Sequence, residues 1–184
     1  ILIHPIDISM DHLYACRVGE FKEGSHFDRT IHQKIVNKQY EDIRWAINYN
    51  TANTNAAKKI NQLICDGNDV WVILFPNIPY NHPYAICKIY EIKDRRNEFG
   101  PLIAIGETNE ERGWTNITSS GKGDFTYDII FSKIHLLPTT AFDGEKLKGQ
   151  TTFFELRNGI KNEDLFKKIK TELPFIKSYS KSLI

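Results

Sequence analysis

The longest apolar run in the chain is Val70–Phe75, VWVILF. A run of that length makes a strand, and it falls far short of the ~20 residues that a membrane-spanning helix needs. Its apolar side chains follow one another without alternation, so the strand has no wet face and the fold must cover it from both sides. A chain of 184 residues, 41% of them hydrophobic, is long enough to do this within one compact domain.

The segments around this run supply the covering elements. Leu13–Val18 (LYACRV) predicts a first strand that stops at Gly19, and FKEGSHF follows as a loop. Between Asp28 and Ile47 the apolar residues Ile31, Ile35, Val36, Tyr40, Ile43 and Ile47 recur at helix-like intervals. That pattern predicts one or two helical turns with a break, and Asp28 as their N-cap. YNTANT reads as a polar connection. NAAKKINQLICDG reads as an amphipathic helix with Ile60, Leu63 and Ile64 as its buried stripe and Gly67 just past its end. After the loop PNIPYNHP, AICKIYEI alternates and predicts a strand with one wet face.

A long polar region, DRRNEFGPLIAIGETNEERGWTNITSSGKG, holds one short strand (LIAIG) and is otherwise loop. Loops of that length inside a compact domain are often functional. FTYDIIFSKIHLLP predicts another strand and TTFFELRNGI a short extended piece. Leu165, Phe166, Ile169 and Leu173 share one face of a final helix over Glu163–Leu173. The interleaving of helices and strands points to an α/β or α+β domain of about six strands over residues 13–175. An N-terminal extension (1–12) and a C-terminal tail (176–184) flank it, and the start at Ile1 reads as a cut from something longer.

Charge and reactive residues exclude several classes. Lys+Arg number 24 against 23 Asp+Glu, which excludes a protein that coats nucleic acid by bulk positive charge. Nucleic acid would have to be held by a local patch or a pocket. Cys16, Cys65 and Cys87 are widely spaced and form no CxxC pair, which fits a reducing, intracellular compartment and no structural zinc. His4, His12, His26, His32, His82 and His135 make no helical i, i+4 pair, so no metal site is expected, and His32 and His135 read as surface or boundary residues. GxGxxG, Walker, GxSxG and HExxH motifs are all absent, so no catalytic residue and no cofactor is assigned. No membrane partner is expected.

The tryptophans are more informative. Trp71 lies inside the apolar run and reads as core, whereas Trp45 ends a charged stretch (YEDIRWAINYN) and Trp114 sits in the long polar loop (EERGWTNITSSGKG). A Trp on such a loop either docks on the body of the fold or offers its face to a ligand.

The order of these features resembles the YTH domain family, readers of N6-methyladenosine in RNA, from about Leu13 to Ile169. Trp45-Ala46 followed by NYNTANTNAAKKI looks like the family's Trp, small residue, Asn-containing linker and helix. VWVILFPNIPYNHPYAICKIYEI is similar to its central strand pair, Trp114 to its loop Trp, and GKGDFTYDIIFSKIHLLP to its Gly-aromatic step into a strand. Arg157-Asn158 resembles the Arg that precedes its last helix. The resemblance implies a YTH-like (PUA-like) open barrel flanked by helices. It also implies a module that binds single-stranded RNA and regulates RNA fate, including mRNA decay, in nucleus or cytoplasm.

In that reading Trp45 and Trp114 are cage walls, with Ala46 and Gly121 also at the base. Gly121 stands where the family usually has a large third wall. Arg157, Arg17 and Lys122 take backbone phosphates. Stacking contributes ~1–3 kcal/mol per base, and one buried methyl adds only ~0.8 kcal/mol, so a tight cage and hydrogen bonds to the adenine edge must supply most of the selectivity. Three alternatives stay open: an unmethylated RNA motif read on a surface away from the cage, a modified-base DNA reader, and a protein-interaction module or small enzyme on the same fold. Protein partners would bind through regions outside this chain.

Overall fold

A computed structural model describes residues 12–25, 27–39, 43–48, 50–76, 83–94, 125–137, 153–156, 171 and 177–180; at 125, 126 and 177–180 only the backbone is described. The architecture is α+β. Strands β1 (Leu13–Arg17), β2 (Arg44–Asn48), β3 (Trp71–Phe75), β4 (Ala85–Asp94), β5 (Phe125–Leu136), β6 (Phe153–Glu155) and β7 (Lys177–Ser180) form one sheet. Its order is β2-β5-β4-β3-β1-β6, and β7 pairs with β5 off that path. β1 runs parallel to β3, and every other described pair is antiparallel. Register shifts at Lys88/Ile89 and Ile89/Glu91 interrupt the long β4–β5 ladder; such bulges bend and twist a strand.

The apolar run behaves as its composition demands. All five residues of β3 are buried, between β1 on one side and β4 on the other. On one face Tyr14, Cys16, Val72, Leu74, Cys87 and Ile134 join Phe27, Ile31 and Ile35 of the first helical segment and Ala57 and Ile60 of the long helix in one core. On the other face Leu13, Ala15, Trp71, Ile73, Phe75 and Ile86 are buried as well. β4 begins buried on both faces and becomes half wet only past its middle, where Tyr90 is exposed.

Several expectations need correction. The helical pattern over 28–47 ends early: a π-helical turn (Asp28–His32) runs into α1 (Gln33–Val36), and Arg44–Asn48 is the strand β2. In IRWAIN the apolar residues Ile43, Trp45 and Ile47 also alternate, and pairing with β5 selects that period over the helical one. Asp28 does not cap its helix. Its Oδ2 instead accepts the Gly24 N–H at 2.8 Å, and the Asp28 N–H donates to Ser25 Oγ at 3.1 Å. The long helix α2 (Thr51–Cys65) starts four residues before the expected Asn55, because the Asn50 side chain accepts the Asn53 N–H at 2.7 Å.

At its other end Gly67 adopts φ +89° and a Schellman pattern closes: Asn68 N–H to Leu63 O, 2.9 Å, and Gly67 N–H to Ile64 O, 3.0 Å. Of the expected stripe Ile60 is fully buried, while Leu63 and Ile64 are half-buried. Lys177–Ser180, placed in the expected tail, pairs with β5. The expected strand at LIAIG lies outside the described residues, as does the expected final helix apart from the helical Thr171.

His135 is buried beside the Trp71 ring, with centroids 5.4 Å apart, rather than at the surface. Burial, with a contribution from Lys133, lowers its pKa from 6.5 to about 4. Cys16 and Cys87 are buried, and burial pushes Cys16 up to about 12 and Cys87 well above its ordinary value; Cys65 is exposed.

Two outcomes are expected. A thiol reagent should titrate one group, Cys65, in the native protein and all three in denaturant; two fast native thiols would contradict this core. The unfolded His135 binds a proton below pH 6.5, whereas the folded ring resists until about 4. Stability therefore falls as pH drops through that window, by about 2–3 kcal/mol between pH 7 and 4.5. Urea unfolding of His135→Gln at both pH values should show that much less acid sensitivity than the parent.

Candidate functional site

Alternation along β2 sets the positions of the first two candidate residues. Trp45 pairs with Ile129 and points to the core, 6% exposed, its ring 6.1 Å from Phe27 at an interplanar angle of 61°. Ala46 points the other way and pairs with Asp128, whose side chain is fully buried. Arg44 Nη1 lies 3.4 Å from Asp128 Oδ2 and keeps part of its side chain in solvent.

Phe27 continues an aromatic body. It meets Tyr84 edge-on at 5.0 Å and Phe21 at 5.2 Å, and Phe21 meets His32 at 5.1 Å. His32 Nδ1 and the Tyr84 hydroxyl are 3.2 Å apart, which fixes both rings.

Four elements meet just past Ala46. β2 ends at Asn48, opposite Phe125, where the chain enters β5. β4 ends at Asp94, opposite Tyr127. α2 begins at Thr51, and its first turn is tied down twice: Asn53 Nδ2 donates to Asn48 O at 2.8 Å, and Thr54 Oγ1 and the Tyr127 hydroxyl are 2.7 Å apart. One end of the sheet thus carries an amide-rich corner tied by hydrogen bonds. β4 ends and β5 begins at that corner, at Asp94 and Phe125.

Trp114, Gly121, Lys122 and Arg157 lie outside the described residues. Arg17, half-buried, closes β1 opposite Phe75, at the other end of the sheet from Asn48, and three strands separate β1 from β2. Sequence reasoning missed Asp128 and Arg44. The available signal was an acid in the middle of the alternating FTYDIIF strand, two residues from Ile130, which pairs with Arg44. Among the described residues no group of three His, Cys, Asp or Glu side chains is placed to hold a metal ion, and no helix is long and apolar enough to cross a membrane.

No protein-family model and no curated protein matches the chain. Among solved structures, the YTH domain of the Zygosaccharomyces rouxii MRB1 protein, in complex with N6-methyladenosine RNA, is similar over 96% of this chain and 97% of its own. The sequence identity is 12% and the TM-score 0.41. That likeness bears on neither the site nor its ligand.

The Arg44–Asp128 pair yields a prediction. Removing one partner of a fully buried pair costs roughly 3–5 kcal/mol, and Arg44 retains solvent contact, so Arg44→Met should cost about 2 kcal/mol in urea unfolding. The double variant with Asp128→Asn should recover part of that loss, and strict additivity would rule out direct coupling.

Proposed function

We propose that this chain is a single-stranded RNA-binding module that takes N6-methyladenosine into an aromatic pocket and acts in post-transcriptional control of RNA fate. Trp45 and Trp114 serve as walls, with Ala46 and Gly121 beside the base. Lys122 and Arg157 take phosphates. Arg17, at the far end of the sheet, takes a phosphate further along the strand. The observation that carries the reading is the corner where β2, β4, β5 and α2 meet: β4 ends there at Asp94 and β5 begins there at Phe125, opposite Asn48, three residues past Trp45. Support also comes from the order of motifs in the sequence, which resembles that of the YTH family. RNA is read by sequence mostly when single-stranded, with unstacked bases set on aromatic faces.

One observation favours a second reading. Trp45 is 6% exposed and packed on Phe27, so an unmethylated motif could be selected on a surface away from this ring.

Calorimetric titration with paired methylated and unmethylated RNA oligonucleotides separates the two. The cage reading expects at least tenfold preference for the methylated strand and loss of that preference in Trp114→Ala. Equal affinities would sink it. Equal affinities with no effect of Trp114→Ala would leave the second surface. Three phosphate contacts predict a slope of about −2 in log affinity against log salt. Tighter binding to a duplex with a modified DNA base than to either RNA would overturn both readings.

A further inference from the structure

A cavity of about 450 Å³ opens between the β1–α1 loop and α1, lined by Phe21, Glu23, Asp28, His32 and Val36 among others. Phe27 stands between this cavity and Trp45. We infer that it receives the arginine side chain of a basic partner peptide.

Its walls include two rings, and its charged groups are two acids and one lysine. Phe21 and His32 meet at 88° with centroids 5.1 Å apart, forming a corner of two aromatic faces. Both rings contact Tyr84: Phe21 meets its ring at 5.4 Å and His32 its hydroxyl at 3.2 Å. Asp28 is 7% exposed. Its Oδ2 accepts from Gly24 N–H at 2.8 Å and Gln33 Nε2 at 3.2 Å, which leaves Oδ1 to accept from a guest. Glu23, exposed, adds a second carboxylate. The one lysine of the lining, Lys22, is spoken for by Glu20 at 2.7 Å. Val36, 64% exposed, offers apolar surface at the rim for an aliphatic stem.

Two carboxylates repel a phosphate and attract a cation. Among cations, a guanidinium matches best: it is planar, stacks on aromatic faces, and carries five N–H donors that can serve two carboxylates at once. An ammonium is a more strongly hydrated point charge and stacks less well. Arg29 of the same turn does not line the cavity, because its Nη1 donates to Gly24 O at 2.7 Å.

The test is an NMR titration of the isotope-labelled full chain with the tripeptide acetyl-Gly-Arg-Gly-amide and its citrulline and lysine counterparts. Saturable shifts should centre on the amides of Phe21–Glu23 and His32–Gln33. The citrulline peptide, neutral but of the same shape, should bind about tenfold more weakly. Glu23→Gln, on an exposed side chain, should weaken the arginine peptide about threefold. Phe21→Leu keeps apolar volume, removes the ring, and should weaken it by a similar factor. Equal binding of citrulline, an unchanged affinity in both variants, or shifts confined to other amides would overturn the inference. So would an unmethylated RNA oligonucleotide that shifts the same amides and displaces the peptide, since the cavity would then belong to nucleic acid.

Discussion

Burial of β3 on both faces is the constraint from which the rest of the fold follows. Trp71–Phe75 can keep no wet face, so the sheet must extend to either side and be covered above and below. β1 and β4 supply the lateral neighbours. The parallel β1–β3 pair requires a crossover, and the chain uses that crossover to place α1, β2 and α2 between the two strands in sequence. The helical segment from Phe27 through α1 and the helix α2 bury their apolar side chains in the same core, with Phe27, Ile31 and Ile60 as their deepest contributions. At roughly 25 cal/mol per Å² of apolar surface, this shared core dominates whatever the exposed ion pairs add.

What could be read in advance follows the same logic. β3 was legible because a run without alternation has one structural solution, and α2 from Asn55 onward because a buried stripe and a glycine stop agree. β2 was not legible. In IRWAIN the apolar spacing satisfies both a helix and a strand, and the deciding partner, β5, lies some eighty residues away, as the pairing of Arg44 with Ile130 illustrates. The start of α2 was hidden for a local reason: Asn50 is an ordinary polar residue until its side chain is seen capping Asn53.

The candidate site shows the limit more sharply. Trp45 drew attention through its charged sequence neighbours, yet on a strand the residues at i±1 point to the opposite face and say nothing about a ring's surroundings. Its actual neighbours, Ile129 and Phe27, come from elsewhere in the chain. Ala46 was noticed only as the small residue after Trp45. Its partner across the ladder, the buried Asp128, carries the charge on that face.

The packing of Trp45 also restricts how a base could reach it. Phe27 is 1% exposed and is wedged edge-on between Trp45, Tyr84 and Phe21. Displacing it would uncover several rings at once, at a cost of several kcal/mol for one large core aromatic. Stacking one base returns only ~1–3 kcal/mol. A base that uses Trp45 therefore cannot come through Phe27. At the end of β2 the start of α2 is held to Asn48 and Tyr127 by the Asn53 and Thr54 hydrogen bonds. The acidic cavity beyond Phe27 is thereby a separate surface: the same ring that closes one approach to Trp45 isolates Phe21 and His32 from it.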